Sequence, residues 1–444
     1  MSPTVARRDR AKLVALLDGV VVGTVVQRVG GRLRFIYEDG WRNRDDAYPL
    51  SLSLPLTASE HEHRAINAFL WGLLPDNPRT LDRYSRRYGI SPNSPVALLS
   101  HIGEECAGAV QFVTPDNIDR VLADSNASRD IEWISEAQLA AELRSVRKHG
   151  IPGNAARTTG RFSLAGAQPK IALFERDGEW GRASRRTPTN RILKPPTGQL
   201  EGFAENEHFC LELAAECRLG VVRSRVLTFE DEISIVVDRF DRIERDGEYR
   251  RVHQEDICQA LAVLPTSKYE SEGGPGIANI ISLVREASQE PMADVNRFLR
   301  VTILNWVIVA TDSHATNYAL LHGSNGSVRL APFYDILSNL PYEDHDLYDV
   351  KAAMKIGGEC LFRRIWRPQW ERLAQQNRLP VDHVLDEATA LLQLLPAAVY
   401  RVQQRAIEQG LRPAVVTDLA TRILERIRIC NTMLTPPVAV ATHH

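Results

Sequence analysis

Asp312 and Asn317 stand five residues apart in Ala310-Thr311-Asp312-Ser313-His314-Ala315-Thr316-Asn317, directly after a strongly apolar segment, Phe298 to Val309. An acid and a carboxamide at this spacing can serve one centre only if a tight turn puts both side chains on the same side. A second acid follows in Ala331-Pro332-Phe333-Tyr334-Asp335-Ile336. Either segment alone says little. Their order and separation are what restrict the fold and the chemistry.

A chain of 444 residues is too long for one ordinary core, so two or three domains are expected. A net charge of -2 gives no ground for general nucleic-acid affinity. The local cluster Arg79, Arg83, Arg86 and Arg87 reads first as a solvated helix face. Six cysteines, at 106, 210, 217, 258, 360 and 430, form no C-x-x-C pair and no tight Cys/His cluster. They read as reduced, buried small hydrophobes. The basic stretch Met1 to Lys12 lacks the apolar run and cleavage signal of a secretory leader. The greasiest run, Phe298 to Ala310, contains Arg300 and Asn305 and is too short to span a bilayer. A cytoplasmic protein with no membrane contact is expected.

Residues Leu13 to Tyr37 read as a β meander punctuated by Asp18-Gly19 and Gly30-Gly31. Ser51 to Leu56 alternates with period two and reads as an edge or terminal strand. His63 to Tyr88 reads as helical, broken at Pro75 and Pro78, and Ala109 to Val113 as a strand. An amphipathic helix is expected over Ser135 to Lys148, with Leu139, Leu143 and Val146 on one face. Strands follow at Lys170 to Phe174, Arg191 to Lys194, Ser224 to Thr228 and Ser234 to Asp238, with a helix at Glu205 to Arg218. Helices dominate from His253 onward, and Leu419, Ile423, Leu424 and Ile427 form a stripe at helical spacing. A boundary is placed near residue 150, where small, breaker and basic residues gather. The expected domains are 1–115, a connecting helix and loops at 116–155, a β-rich lobe at 156–240 and a helical lobe at 241–444.

The Asp…Asn spacing is that of the protein-kinase catalytic loop, in which the acid accepts the substrate hydroxyl proton and the Asn holds a metal ion. Asp335, beside Tyr334, suits the acid that ligates magnesium under the triphosphate. The stretch Ala165-Gly166-Ala167-Gln168-Pro169-Lys170 could let backbone N–H groups approach phosphate oxygens, or be an ordinary hairpin turn. Lys194 ends an apolar strand. There it is either a solvated edge residue or a cation awaiting a phosphate or one of the carboxylates Glu205 and Glu207. Asp238-Arg239-Phe240 stands where an inter-lobe hinge would present backbone to adenine; the other reading is a salt-bridged turn. Glu255 and Asp256 suit the first turn of a helix. His314 either approaches the phosphates or stabilises its loop.

Together these segments resemble the HipA-like serine/threonine kinase toxins of bacterial toxin–antitoxin pairs. The resemblance runs over nearly the whole chain and includes Ser51 to Leu56, Phe69 to Asn77, Ser163 to Lys170, Ile192 to Pro195, Asp238 to Arg242, Gln254 to Gln259, Thr311 to Asn317 and Ala331 to Ser338. It implies an α+β, two-lobed protein-kinase-like fold: a β-rich N-terminal part with an extra family subdomain, and a mainly helical C-terminal lobe. It implies Asp312 as catalytic base, Asn317 and Asp335 as magnesium ligands, Lys194 as phosphate-binding lysine and Ala165 to Lys170 as the ATP loop. It also implies Ser163 as an autophosphorylated serine whose modification silences the enzyme. The implied partners are a small DNA-binding, HipB-like antitoxin, through which alone DNA is met, and an aminoacyl-tRNA synthetase as substrate. Two departures stand out: Thr316 replaces the usual lysine before the Asn, and Val309 occupies a place where a small or polar residue is commoner. The competing expectations are a small-molecule kinase of the same construction and an antitoxin-binding corepressor without turnover.

Overall fold

The computed structural model describes residues 9–123, 130–152, 165–184, 187–196, 201–343 and 347–436. The fold is α+β. It divides into two compact units, each assembled from separated stretches of chain. One comprises Met1–Ala204, Val222–Lys268 and Ala315–Pro332; the other comprises Glu205–Val221, Tyr269–His314 and Phe333–His444.

The first unit is β-rich. Its opening meander pairs Asp9–Leu17 with Val20–Arg28, and that strand with Leu33–Tyr37. The hairpin turn is Asp18-Gly19, with φ of 45° and 80°. Both central residues of a two-residue turn need positive φ to match strand twist, and Asp-Gly meets that at low cost. The same dipeptide turns the chain at Asp177-Gly178 and Asp246-Gly247. Glu60–Glu62 pairs beyond Leu33–Tyr37, and Val110–Val113 pairs on the far side of the first strand, completing a five-stranded sheet. Leu13, Ala15 and Leu17 enter its main core, while Val14 and Leu16 face a smaller cluster with Val113 and Val121.

Against this sheet pack His63–Gly72 and Pro95–Ile102. Between them, Pro78 opens the helix Pro78–Tyr88, and the Asn77 side chain accepts from the Arg79 N–H at 3.0 Å. Proline is tolerated at a first helical position because its missing N–H has no intrahelical partner there.

A six-stranded sheet follows in the order Ser224–Phe229, Glu232–Asp238, Arg191–Lys194, Ile171–Arg176, Glu179–Ala183, Ile131–Ile134. The helix Glu136–His149 covers it with Leu139, Leu143 and Val146, and starts in a capping box between Ser135 and Gln138.

Two local expectations are corrected. Ser51 to Leu56 is a turn, not a strand: Ser51 and Leu54 form an isolated bridge, and the Ser53 N–H donates to Ser51 Oγ at 3.1 Å. A serine that supplies the backbone with a local acceptor competes with ladder formation. His253–Asp256 is a strand, paired with Ala319–His322, and only the next four residues are helical. Asp256 caps that helix by accepting from the Gln259 N–H at 2.8 Å. Glu255 lies in the strand and accepts from Ser51 Oγ, the Leu52 N–H at 2.8 Å and His322 Nε2 at 2.8 Å.

The second unit is mainly helical. Its longest elements are Pro291–Val307, Val381–Glu408 and Pro413–Leu434. Leu419, Ile423 and Ile427 are buried along the last of these. All six cysteines carry free thiols, five of them buried. Among the described residues no helix is long and apolar enough to cross a membrane.

Candidate active site

In the helical unit the proposed base is carried past the end of Pro291–Val307, a helix buried without interruption from Val301 to Val307. The Ala310 N–H reaches back to Asn305 O at 2.9 Å, which places Val309 in the left-handed region at φ 54°. Helix ends of this kind favour glycine, and a β-branched residue there is strained. Such strain persists only where surroundings enforce it. Here Val309 is fully buried and its carbonyl accepts from the Asn339 N–H at 3.2 Å.

The next residues are fixed in turn. Thr311 Oγ1 accepts from Asn339 Nδ2 at 2.7 Å, Ser313 Oγ donates to Ala310 O at 3.1 Å, and the His314 N–H donates to Asp312 O at 2.9 Å. The Asp312 side chain is 67% exposed, while His314 is buried with Nε2 3.4 Å from Asp312 Oδ1. The Tyr269 hydroxyl donates to the same oxygen.

Asp335, in the same unit, has φ 57°. Before it, the Phe333 N–H donates to Gly220 O at 3.0 Å. After it, buried Asn206 grips the Ser338 backbone, accepting from its N–H at 3.1 Å and donating to its carbonyl at 2.8 Å. Ser338 Oγ donates to Ile308 O at 2.7 Å. Asn339 therefore joins the segment of Asp335 to that of Asp312, and both are held from the buried helix.

The β-rich unit carries the remaining candidates. Gly166 has φ 105°, bridges to Pro75, and accepts from the Asp76 N–H at 3.3 Å. Lys170 Nζ closes the loop by donating to Ala165 O at 2.8 Å. At φ 105° any L side chain at position 166 would be strained, and its Cβ would also lie 2.7 Å from Lys170 Nζ. Ala167 is exposed, and Gln168 and Pro169 are half-buried. Asp76 also pairs with Lys268 at 2.8 Å, and Lys268 O accepts from the Ala315 N–H at 3.4 Å. That bond anchors the short turn Ala315–Asn317. Lys268 and Asp76 thus connect the turn bearing Asn317 to the glycine loop. Lys194 is buried at the end of its strand, opposite Ile235.

Two family models match the chain. The HipA N-terminal domain covers residues 13–113 and the HipA-like C-terminal domain covers residues 162–399. The chain belongs to the HipA family. It is 32% identical over 413 residues to Y4mE of Sinorhizobium fredii, which bears a kinase name; the match spans 93% of this chain and 96% of that one. The HipA serine/threonine-protein kinase toxin of Shewanella oneidensis is 28% identical over 381 residues, spanning 82% and 83% of the two chains. The solved HipA from the Shewanella oneidensis complex of HipA, HipB and operator DNA shares the fold, with a TM-score of 0.80 and 24% identity. That alignment covers 95% of this chain and 98% of the other. The HipA family is one of kinase toxins from toxin–antitoxin pairs.

In this HipA-family chain, Asp312, His314, Tyr334 and Asp335 belong to the helical unit. Ala165 to Lys170, Lys194, Asp238 to Phe240 and Asn317 belong to the β-rich one. Ser163 lies outside the described residues. At Asp238 to Phe240 the Arg239 side chain forms a salt-bridged turn, an arrangement compatible with a hinge that presents its backbone. Arg239 is buried against Glu105 at 3.0 Å and Asp241 at 2.7 Å, and the Asp238 and Arg239 N–H groups already donate to Arg223 O and Asn190 O. Glu205, one of the carboxylates considered for Lys194, takes Arg412 Nε at 2.6 Å.

Sequence reasoning missed Asp76, Lys268, Tyr269, Asn206 and Asn339. Asp76 stands in Leu74-Pro75-Asp76-Asn77, where only the turn residues carry a local signal. The other four are recognisable only by partners far along the chain.

The residue types fit a nucleotide with magnesium. Carboxylate and carboxamide oxygens are the hard donors that magnesium takes alongside substrate phosphates. The loop around Gly166, with its positive φ, is backbone of the kind that can approach an anion closely.

Proposed function

We propose that this chain is an ATP- and magnesium-dependent serine/threonine protein kinase, the toxin of a toxin–antitoxin pair. The observation that carries the reading is an exposed carboxylate, Asp312, on a loop fixed through Asn339 to the segment bearing Asp335. Kinase names among its relatives give the reading its class.

Asp312 would orient the attacking hydroxyl and accept its proton. Asn317 and Asp335 would hold magnesium, which supplies charge neutralisation at the phosphates when bound. Lys194 and the loop Ala165 to Lys170 would hold the phosphates themselves. Thr316 brings no positive charge to the catalytic loop, so Lys194 and the loop amides carry more of that role.

Shewanella oneidensis HipA is solved together with HipB and operator DNA. The proposed partner here is accordingly a small HipB-like antitoxin, with DNA met through it. An aminoacyl-tRNA synthetase as substrate, and Ser163 as the self-modified residue, follow from the family resemblance.

The test is incubation of the purified chain with magnesium and γ-labelled ATP, followed by phosphosite mapping. Label at Ser163, lost in Asp312→Asn, is the expected result. ATP binding without label on the chain or on any protein of a lysate would reject a protein kinase. Asp335→Ala is expected to lower magnesium-dependent ATP affinity at least tenfold, since it removes one of two proposed ligands. Unchanged calorimetric binding would sink that assignment.

A further inference from the structure

Tyr269 lies in the helical unit, just before the short turn Glu270–Glu272. Its carbonyl accepts from the Glu272 and Gly274 N–H groups, both at 3.0 Å. The turn is clamped in addition by Glu270, which accepts from the Lys355 N–H at 2.6 Å. The tyrosine backbone is therefore well held where its hydroxyl donates to Asp312 Oδ1.

His314 converges on the same place. Its Nε2 lies 3.4 Å from Asp312 Oδ1, and its ring meets the Tyr269 ring edge-on, with centroids 4.8 Å apart and planes at 85°. A phenol and an imidazole thus brace each other and both approach one carboxylate oxygen. The torsion that turns a carboxylate about its last carbon–carbon bond is broad and soft. An exposed aspartate would sweep both oxygens through a wide arc. A charge-assisted hydrogen bond to one oxygen restricts that arc and aims the other.

We infer that Tyr269 is a positioning residue for phosphoryl transfer: it holds Asp312 by Oδ1 so that Oδ2 is presented to the substrate hydroxyl. This rests on Asp312 being the base. Misplacing a reacting group by about 1 Å can cost a reaction on the order of 100-fold, so a small device at this carboxylate has a large lever. The opposite role is also chemically defined. If the phenol instead occupied the place of the substrate hydroxyl, its removal would speed transfer.

The experiment compares full-length wild type, Tyr269→Phe and Asp312→Asn. Transfer from γ-labelled ATP to the chain and to casein is timed, with ATP affinity by calorimetry and the melting midpoint measured on the same samples. For Tyr269→Phe the expected result is a fall in kcat of about tenfold, with KM for ATP, ATP affinity and melting midpoint unchanged. An undiminished or raised kcat overturns the inference. So does a fall that comes with lost ATP affinity or an earlier melt, unless Tyr269→His, which restores a ring N–H donor, recovers the rate. If Asp312→Asn transfers at the wild-type rate, the base assignment fails. If Asp312→Asn is inactive while Tyr269→Phe is fully active, the role of Tyr269 alone fails.

Discussion

Asp312→Asn is expected to slow phosphoryl transfer by about 10³-fold while leaving ATP affinity within a factor of two. The substitution is isosteric. The amide oxygen can still accept from the Tyr269 hydroxyl, so the loop held by Asn339, Ser313 and His314 keeps its shape. What is lost is the ability to take a proton from a hydroxyl. The side chain is 67% exposed, so its charge makes little contribution to folding, and the melting midpoint should not move. Single-turnover labelling and calorimetry on the same sample separate chemistry from binding. Transfer at the wild-type rate would show that another group orients the nucleophile.

Glu105→Gln is expected to destabilise the β-rich unit by about 3–5 kcal/mol, measured by urea unfolding at neutral pH. Glu105 is the hub of a buried charge network. It meets Arg239 at 3.0 Å, Arg242 at 2.8 Å and Arg251 at 2.5 Å, and accepts from Thr189 Oγ1 at 2.7 Å. Asp241 supplies the other negative charge, 2.7 Å from Arg239 and 3.0 Å from Arg242. Neutralising Glu105 leaves three buried guanidinium groups against one carboxylate. Hydrophobic surroundings offer no solvent to make up the difference.

The acid behaviour of the same network has a definite sign. Burial pushes the Glu105 carboxyl up, but Arg251, Arg242 and Arg239 together hold it well below the usual carboxylate range. Asp241 is likewise raised by burial and lowered further by Arg239 and Arg242. Both folded-state values lie below the unfolded ones. Their stabilisation is therefore complete above about pH 5 and is lost as pH falls through the unfolded and then the folded values. The wild type should lose stability steeply in that acid window, and Glu105→Gln should show a shallower slope. Equal slopes would mean that the network does not govern acid unfolding.

Much of the local architecture was legible in the chain. Asp18-Gly19 marked a hairpin because few residues accept the left-handed backbone it requires. Pro78, read as a break in the helical stretch His63 to Tyr88, is the first residue of a new helix, and the spacing of Leu139, Leu143 and Val146 marked a covering helix. Asp246-Gly247 carried the same hairpin signal, but the strands it joins, Arg242–Arg245 and Glu248–Arg251, are too charged to show an apolar alternation. Ser51 to Leu56 showed the alternation without the strand. Of its alternating leucines only Leu54 is buried, with Leu52 and Leu56 half-buried across a turn that a serine hydroxyl stabilises.

The sequence by itself determined the order of the chemistry-bearing segments, the spacing of Asp312, Asn317 and Asp335, and the family. These depend on residues close in the chain or on their order along it. Tertiary structure decided what each charged group is for. It made the Arg239 side chain a buried partner of Glu105, 134 residues away, and gave Asp312 a tyrosine donor 43 residues upstream. Periodicity and spacing report which face a residue takes within its own element. Hydrogen bonds and ion pairs act over a few ångströms in space whatever the separation along the chain, so their partners are fixed only when the elements have packed.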